Sequence, residues 1–293
     1  MIMTVAFIGL GEVGSNVTIG LAQKGVSVKG YDIKFETEGR EAFKKCADAG
    51  VVLANTPEEL VDGADIIIAV TSCSKALETA QMYKPYLKKN QVYCEFNSTV
   101  PEAVFEVEKY IGDACTFIDG CVLVSANIHK EKSPCCSSGP AAEEVTKILN
   151  DLGMNIRYMG DKIGQASAFK VIRSIFTKSL EATLIETMTC ARYYGVEDDI
   201  FDSIVTFLSD APLDVTLPMM IKTNVVHSYR RGQEIEEIAH MQAEAGLDNT
   251  MSAAATKKMF WLASPEFKDR FGGKPAESMN AVTDELLKWQ GKK

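Results

Sequence analysis

The chain has 293 residues, 46% hydrophobic and 24% charged, enough for one large or two ordinary globular domains with sizeable cores. Its net charge of −9 comes without a basic block, which argues against nucleic acid or an anionic membrane as the main partner. The longest apolar runs, such as Ile66 to Val70, are far too short to span a bilayer, and no basic n-region precedes the first strand, so no signal peptide is expected and a cytoplasmic location is.

The first thirty-two residues carry the strongest pattern. Val5 to Ile8 reads as a buried strand. Gly9, Gly11 and Gly14 follow as G-x-G-x-x-G, and Val13 to Gln23 reads as a helix ended by Gly25. Val26, Val28 and Tyr31 belong to a second strand that finishes on Asp32. Gly9 permits a tight turn, Gly11 lets a pyrophosphate approach the backbone, and Gly14 lets helix and sheet pack closely. The helix N-terminus offers N–H groups and a positive dipole end to phosphates. Asp32, 18 residues after Gly14, is placed to accept from ribose hydroxyls. The cofactor-binding candidates here are Gly9, Leu10, Gly11, Glu12, Val13, Gly14 and Asp32. An acid at that position repels a 2′-phosphate, so NAD is expected over NADP. Arg40 is the nearest following arginine that a loop could return to such a phosphate.

A helix is expected around Glu38 to Asp48, a short strand over Val51 to Ala54, and a helix start at Thr56-Pro57, where Thr56 can cap and Pro57 fits the first turn. Ala64 to Val70 reads as a strand buried on both faces. Val70, Thr71 and Ser72 lie at its C-terminal end, where open α/β sheets bind ligands. A helix over Lys75 to Tyr83, a strand over Gln91 to Phe96, the tip Asn97-Ser98-Thr99 and a helix opening at Pro101 follow. Thr116 to Ser125 reads as a strand broken at Asp119-Gly120, then Pro134 to Gly139 as strand and turn, Ala141 to Leu152 as helix and Asn155 to Met159 as the last strand. Cys135 and Cys136 are expected on opposite faces of one strand. The eight cysteines read as reduced thiols. With no C-x-x-C pair and scattered His129, His227 and His240, no metal site is expected.

Strands alternate with helices up to Met159 and cease afterwards. The expected fold is therefore an α/β Rossmann-type doubly wound parallel sheet over residues 1–161, with a less regular far edge, followed by an all-α domain over 162–293. Its helices are expected over Ala166 to Tyr193, Glu197 to Leu208, Leu217 to Tyr229, Gln233 to Ala245, Thr250 to Leu262 and Ser278 to Gln290.

Four segments resemble the β-hydroxyacid dehydrogenase superfamily, which includes 3-hydroxyisobutyrate and 6-phosphogluconate dehydrogenases. FIGLGEVG (Phe7 to Gly14) is close to that family's FIGLGxMG. EFNSTVP (Glu95 to Pro101) resembles a loop lining the nicotinamide, which implies cofactor contacts from Asn97, Ser98 and Thr99. Asp119-Gly120 resembles the opening of the substrate loop, which implies a substrate contact at Ser125. GQASAFK (Gly164 to Lys170) matches the segment carrying the family's catalytic lysine. The resemblance implies an NAD(P)-dependent dehydrogenase or reductase of a small β-hydroxy acid, with Lys170 as general acid–base. Two departures bear on the substrate. The family's D-x-x-V-S-G-G is here Asp119 to Ser125 (DGCVLVS), and its Asn four residues after the lysine is here Ser174, preceded by Arg173. The later KxxRSxxTK-type helix (Lys170 to Lys178) and the HxxRRxxExxE-type segment (His227, Arg230, Arg231, Glu234, Glu237) resemble a less studied branch of the superfamily.

Residue chemistry alone leaves Lys170 as either a snorkelling surface lysine or a proton carrier whose pKa is lowered by partial burial and by Arg173. Ser174, one turn on, is a candidate to hold the lysine or the substrate. Arg230-Arg231 reads either as an anion-binding fork or as a helix end complementing its dipole before Gly232. Ser125, Arg173, His227 and Arg231 are the substrate-binding candidates. An imine reductase on the same scaffold, a non-catalytic NAD-binding protein and decarboxylation after oxidation remain open. The long helix is apolar on several sides (Phe169, Ile172, Ile175, Phe176, Leu180, Leu184, Ile185, Met188), which predicts a homodimer packed through the helical domains.

Overall fold

The computed structural model describes residues 3–292 and divides into two compact units, Met1–Ile175 and Phe176–Lys293. Among the described residues the first unit holds an eight-stranded sheet. Its strands are β1 (Thr4–Ile8), β2 (Ser27–Tyr31), β3 (Val52–Leu53), β4 (Ile66–Ala69), β5 (Val92–Glu95), β6 (Thr116–Val122), β7 (Pro134–Ser138) and β8 (Asn155–Tyr158). The order is 3-2-1-4-5-6-7-8. All neighbours run parallel except β6 and β7, which are antiparallel. The sheet is thus of the doubly wound Rossmann type with one reversed strand near its far edge. Residues 123–133 join β6 to β7, less chain than a parallel crossover normally needs.

Helices α1 (Glu12–Gln23), α2 (Lys44–Asp48), α3 (Pro57–Val61), α4 (Ala76–Tyr83), α5 (Pro101–Ile111), α6 (Ala126–His129) and α7 (Ala142–Asp151) fill the connections. Successive strand side chains point to opposite faces. Val5, Phe7, Ile66 and Ile68 therefore pack with Val17 and Leu21 of α1 and Leu149 of α7. Ala6, Ile8 and Ile67 pack on the other face with Leu60 of α3, Ala80 of α4 and Val104 of α5. Burial on both faces explains the unbroken apolar runs. Thr56 does cap α3, its hydroxyl accepting from Glu59 N–H at 3.1 Å.

Three expectations are corrected. The segment near Glu38 is not one helix but a 3-10 turn, Arg40–Phe43, leading into the short α2. Strand β6 runs through Asp119-Gly120 without a break. Gly120 is there because the Phe96 ring lies on it: a Cβ would come 2.1 Å from the ring. The third correction lies in the second unit. Helix α8 (Gln165–Tyr194) continues into it from the first, followed by α9 (Glu197–Ser209), α10 (Leu213–Glu244), α11 (Thr250–Leu262), α12 (Pro265–Lys268) and α13 (Met279–Trp289). Helix α10 passes straight through Gly232, where two helices were expected. A Cβ on Gly232 would come 2.9 Å from the Phe260 ring, so this glycine admits α11 rather than ending a helix. Phe267, Val225 and Val282 form a small core there, beside stacked Trp261 and Trp289 at 4.7 Å. No single helix among the described residues is long and apolar enough to cross a membrane.

Candidate active site

The glycine loop sorts its three glycines by what surrounds them. Gly9 has φ +94° and lies against β4, where a Cβ would come 2.7 Å from the Val70 carbonyl oxygen. A Cβ on Gly14 would come 1.9 Å from the Gly9 oxygen. Gly11 meets nothing within 4 Å. Two glycines therefore serve packing, and the middle one faces open space at the start of α1, where no side chain caps the helix. That combination fits a diphosphate approaching free N–H groups.

A cleft of about 400 Å³ opens there, lined by Gly9, Gly11, Glu12, Val13, Asp32, Val70, Thr71 and Ser72. Leu10 and Gly14 are buried behind it, with Leu10 in the core. Asp32 also shapes the loop. Its Oδ2 accepts from Leu10 N–H at 2.8 Å and its Oδ1 from Lys34 N–H at 3.0 Å. Arg40 is committed elsewhere, donating to the Ala54 carbonyl at 2.6 Å and resting 5.2 Å over the Phe35 ring. Lys34, which the sequence did not single out, lines the same cleft and pairs with Glu38 at 3.1 Å.

A second cleft of about 360 Å³ shares Val13, Val70 and Thr71 with the first. It brings together residues from four separate motifs: Thr71, Asn97 with Ser98, Ser125 and Lys170. The Asn97 Oδ1 accepts from Thr71 N–H, tying the tips of β4 and β5. Ser98 has φ +60°, a conformation uncommon outside glycine. Thr99 is half-buried and lines neither cleft. Lys170 is half-buried, and its Nζ donates to the Val122 carbonyl at 2.5 Å. Burial lowers its pKa below the ordinary lysine value, against the opposing pull of Cys121, Cys135, Cys136 and Cys73. The Arg173 guanidinium, three residues on, donates to the Leu123 carbonyl at 3.1 Å, and burial is the largest cause of the lowered Lys170 pKa. The Ser174 hydroxyl donates to the Lys170 backbone carbonyl at 3.0 Å, one turn back in α8. Ser125 donates to Glu12 Oε1 at 2.6 Å, joining the second cleft to the glycine loop.

Asp119 has a role that sequence reasoning did not assign. Fully buried, it caps α8. Its Oδ2 accepts from the N–H groups of Gly164 (3.0 Å), Ala166 (3.1 Å) and Ser167 (3.2 Å) and from Ser138 Oγ (2.9 Å). Its Oδ1 accepts from Ser167 Oγ at 2.7 Å. An acid within the apolar strand TFIDGCV was the available signal. The thiols sort as expected. Cys135 enters the core facing α7, while Cys136 lies 3.0 Å from Cys121 across the β6–β7 pair.

His227 and Arg231 both belong to α10 in the second unit. The Arg231 guanidinium donates to Asn224 Oδ1 at 3.3 Å and Thr223 Oγ1 at 3.2 Å, and Arg230 pairs with Glu234 at 3.5 Å. The helix-end explanation of Arg230-Arg231 does not apply, because α10 runs on to Glu244.

Residues 4–160 match the family described as the NAD binding domain of 6-phosphogluconate dehydrogenase. Residues 191–261 match a domain of unknown function, DUF1932. The chain is 32% identical over 260 residues to the "uncharacterized 28.5 kDa protein in 7S RNA 5′ region" of Methanothermus fervidus, covering 88% of this chain and 98% of that protein. It is 26% identical, with a TM-score of 0.60, to a conserved protein whose structure is described as similar to 3-hydroxyacid dehydrogenases, covering 91% and 99% of the two chains. In fold it is also similar to an imine reductase from Myxococcus stipitatus in complex with NADP+. There the TM-score is 0.74 and the identity 17%, over 97% of this chain and 99% of that one. A variant of that enzyme in complex with NAD+ gives the same TM-score at 16% identity, over 98% and 99%. With its glycine loop, its Asp32 and the match over residues 4–160, the chain belongs to the family of the 6-phosphogluconate dehydrogenase NAD binding domain, and is an NAD(P)-dependent oxidoreductase.

Proposed function

We propose that the protein interconverts a small β-hydroxy acid and its oxo acid by hydride transfer, with Lys170 as general acid–base. The carrying observation is the half-buried Lys170 amine in the same cleft as Asn97, Ser98 and Ser125. NAD, when bound, supplies the hydride acceptor or donor. Gly9, Gly11, Glu12, Val13 and Asp32 line the cleft that would hold its adenosine and diphosphate, with Leu10 and Gly14 fixing the loop from behind. Val70, Thr71, Ser72, Asn97, Ser98 and Thr99 belong to the strand tips on the way to the nicotinamide end. Lys170 takes the hydroxyl proton in oxidation and returns one in reduction. In this proposal Ser125 and Arg173 bind the substrate, and Ser174 supports the lysine. A panel of β-hydroxy acids and cyclic imines tests this. Hydroxy-acid turnover that needs Lys170 is expected, whereas imine-only turnover that survives Lys170→Ala overturns it in favour of an imine reductase.

Cofactor preference follows from Asp32. Its carboxylate meets ribose hydroxyls favourably and a 2′-phosphate unfavourably, and Arg40 is held away by Ala54 and Phe35. The ratio of kcat/KM values is expected to favour NAD, with Asp32→Ser narrowing the gap. A clear NADP preference in the unsubstituted protein counts against this reading.

We also propose a homodimer through the second unit. Phe176, Ile185, Phe201, Phe207, Val215 and Met219 are each more than half exposed there. A groove of about 740 Å³ in the same unit is lined largely by apolar side chains, among them Ala191, Ile200, Ile238 and Met241. So much exposed apolar surface marks an interaction site, and the helical unit alone leaves it uncovered. Sedimentation is expected to show a dimer at micromolar concentration; a stable monomer sinks the idea.

A further inference from the structure

Glu95 is a carboxylic acid that the proposed chemistry leaves without a task. It ends β5 and is almost wholly buried. One oxygen, Oε1, accepts from the backbone N–H of Asn97 at 2.9 Å. The other, Oε2, is buried without a hydrogen-bond partner, as is the amide nitrogen Nδ2 of Asn97. Buried polar groups are ordinarily paired, so an orphaned pair two residues apart calls for an explanation.

The surroundings supply one. Asn97 is tied on both sides. Its Oδ1 accepts from Thr71 N–H at the tip of β4, and its backbone bridges to Cys121 of β6. Cys121 precedes Val122, whose carbonyl receives the Lys170 amine. The next residue, Ser98, is held at φ +60° and lines the cleft. A non-glycine residue stays in that conformation only where its surroundings over-determine it. Glu95, fixing the N–H of Asn97 from beneath, is part of what does so.

We propose that Glu95 is a positioning residue for the nicotinamide end of the cleft, acting through Asn97 to hold Ser98 in its left-handed conformation. The proposal rests on the reading that this cleft receives the nicotinamide. Burial pushes the Glu95 carboxyl up to about 8, with the Asn97 backbone N–H opposing the rise and Asp119 on the neighbouring strand adding to it. Tyr93, two residues back on β5, and Cys94 are the other titratable groups about it. The acid is therefore neutral near pH 7, and a glutamine reproduces both its shape and its acceptor oxygen.

The test compares NADH with ADP-ribose, which lacks the nicotinamide. The dissociation constant of ADP-ribose divided by that of NADH isolates that end, and the fluorescence of bound NADH reports its surroundings. In Glu95→Met the ratio is expected to fall about tenfold, the order of one lost buried hydrogen bond, with ADP-ribose affinity unchanged. Glu95→Gln is expected to keep the ratio and the fluorescence. Glu95→Val, a strand former without an acceptor, replaces Glu95→Met if the latter does not fold. A full ratio in the apolar variant overturns the proposal. So does loss in Glu95→Gln equal to that in Glu95→Met, or a parallel loss of ADP-ribose binding, which marks a general structural role. If the unsubstituted protein binds NADH no better than ADP-ribose, the nicotinamide reading itself fails, and that failure is visible without any substitution.

Discussion

Replacing Lys170 by methionine is expected to slow hydride transfer about a hundred- to ten-thousandfold, the usual contribution of a general acid–base group, and to leave NAD affinity nearly unchanged. That is roughly 3 to 5 kcal/mol of transition-state stabilisation. The methionine keeps the length and apolar stem that lie along the cleft wall, while the proton carrier and its bond to the Val122 carbonyl are lost. Lys170→Arg keeps the charge but cannot release a proton near neutral pH, so it is expected to be slow as well. Because burial lowers the Lys170 pKa, the rise in oxidation rate with pH comes at a lower pH than an ordinary lysine would give. The rise should be absent from Lys170→Met. Recovery of most of the rate in Lys170→Arg would make the residue an anchor for a substrate anion, with His227 the next proton carrier to examine.

The second large effect is on stability. Asp119→Ala removes one acceptor group from three backbone N–H groups and two hydroxyls, all at the buried start of α8. Each buried donor left unpaired costs about 1–3 kcal/mol, and bonds to a charged acceptor lie at the upper end of their range. Even with some rearrangement the loss should be on the order of 3 to 5 kcal/mol. Asp119→Asn keeps one acceptor oxygen but turns an NH₂ toward donors, so it should fall between the two. Urea unfolding of the three proteins reads this directly. A midpoint for Asp119→Ala equivalent to a change below about 1 kcal/mol would show that α8 does not depend on this cap.

Much of this was legible along the chain, and the limits have physical reasons. The glycine loop, Asp32 and the strand tips are local patterns in which spacing dictates geometry. Lys170 was marked by its segment and appears in the cleft that also holds Ser98 and Ser125. What stayed hidden depends on contacts distant in sequence. Gly120 resembles a strand break until the Phe96 ring is found above it, and Gly232 a helix end until Phe260 is found beside it. The reversal of β7 leaves no mark in its composition, since antiparallel and parallel strands buried on both faces read alike. Asp119 and Glu95 stood out only as acids in apolar strands; the donors that Asp119 gathers lie at the start of α8, while Glu95 accepts from Asn97 at the tip of its own strand.

The two hydrogen bonds of Asp32 bear on how cofactor choice can change. One carboxylate fixes the backbone on both sides of the cleft, at Leu10 in the glycine loop and at Lys34 beyond β2. The group proposed to discriminate against a 2′-phosphate is thus also a brace for the glycine loop. A lineage drifting toward NADP cannot discard the negative charge without also loosening that loop. The accessible route passes through a neutral residue that keeps an acceptor at the same place, with Lys34 already on the cleft wall to meet a phosphate once the charge is gone. Specificity and preorganisation are inherited here as one trait, and they would have to be separated before either could evolve alone.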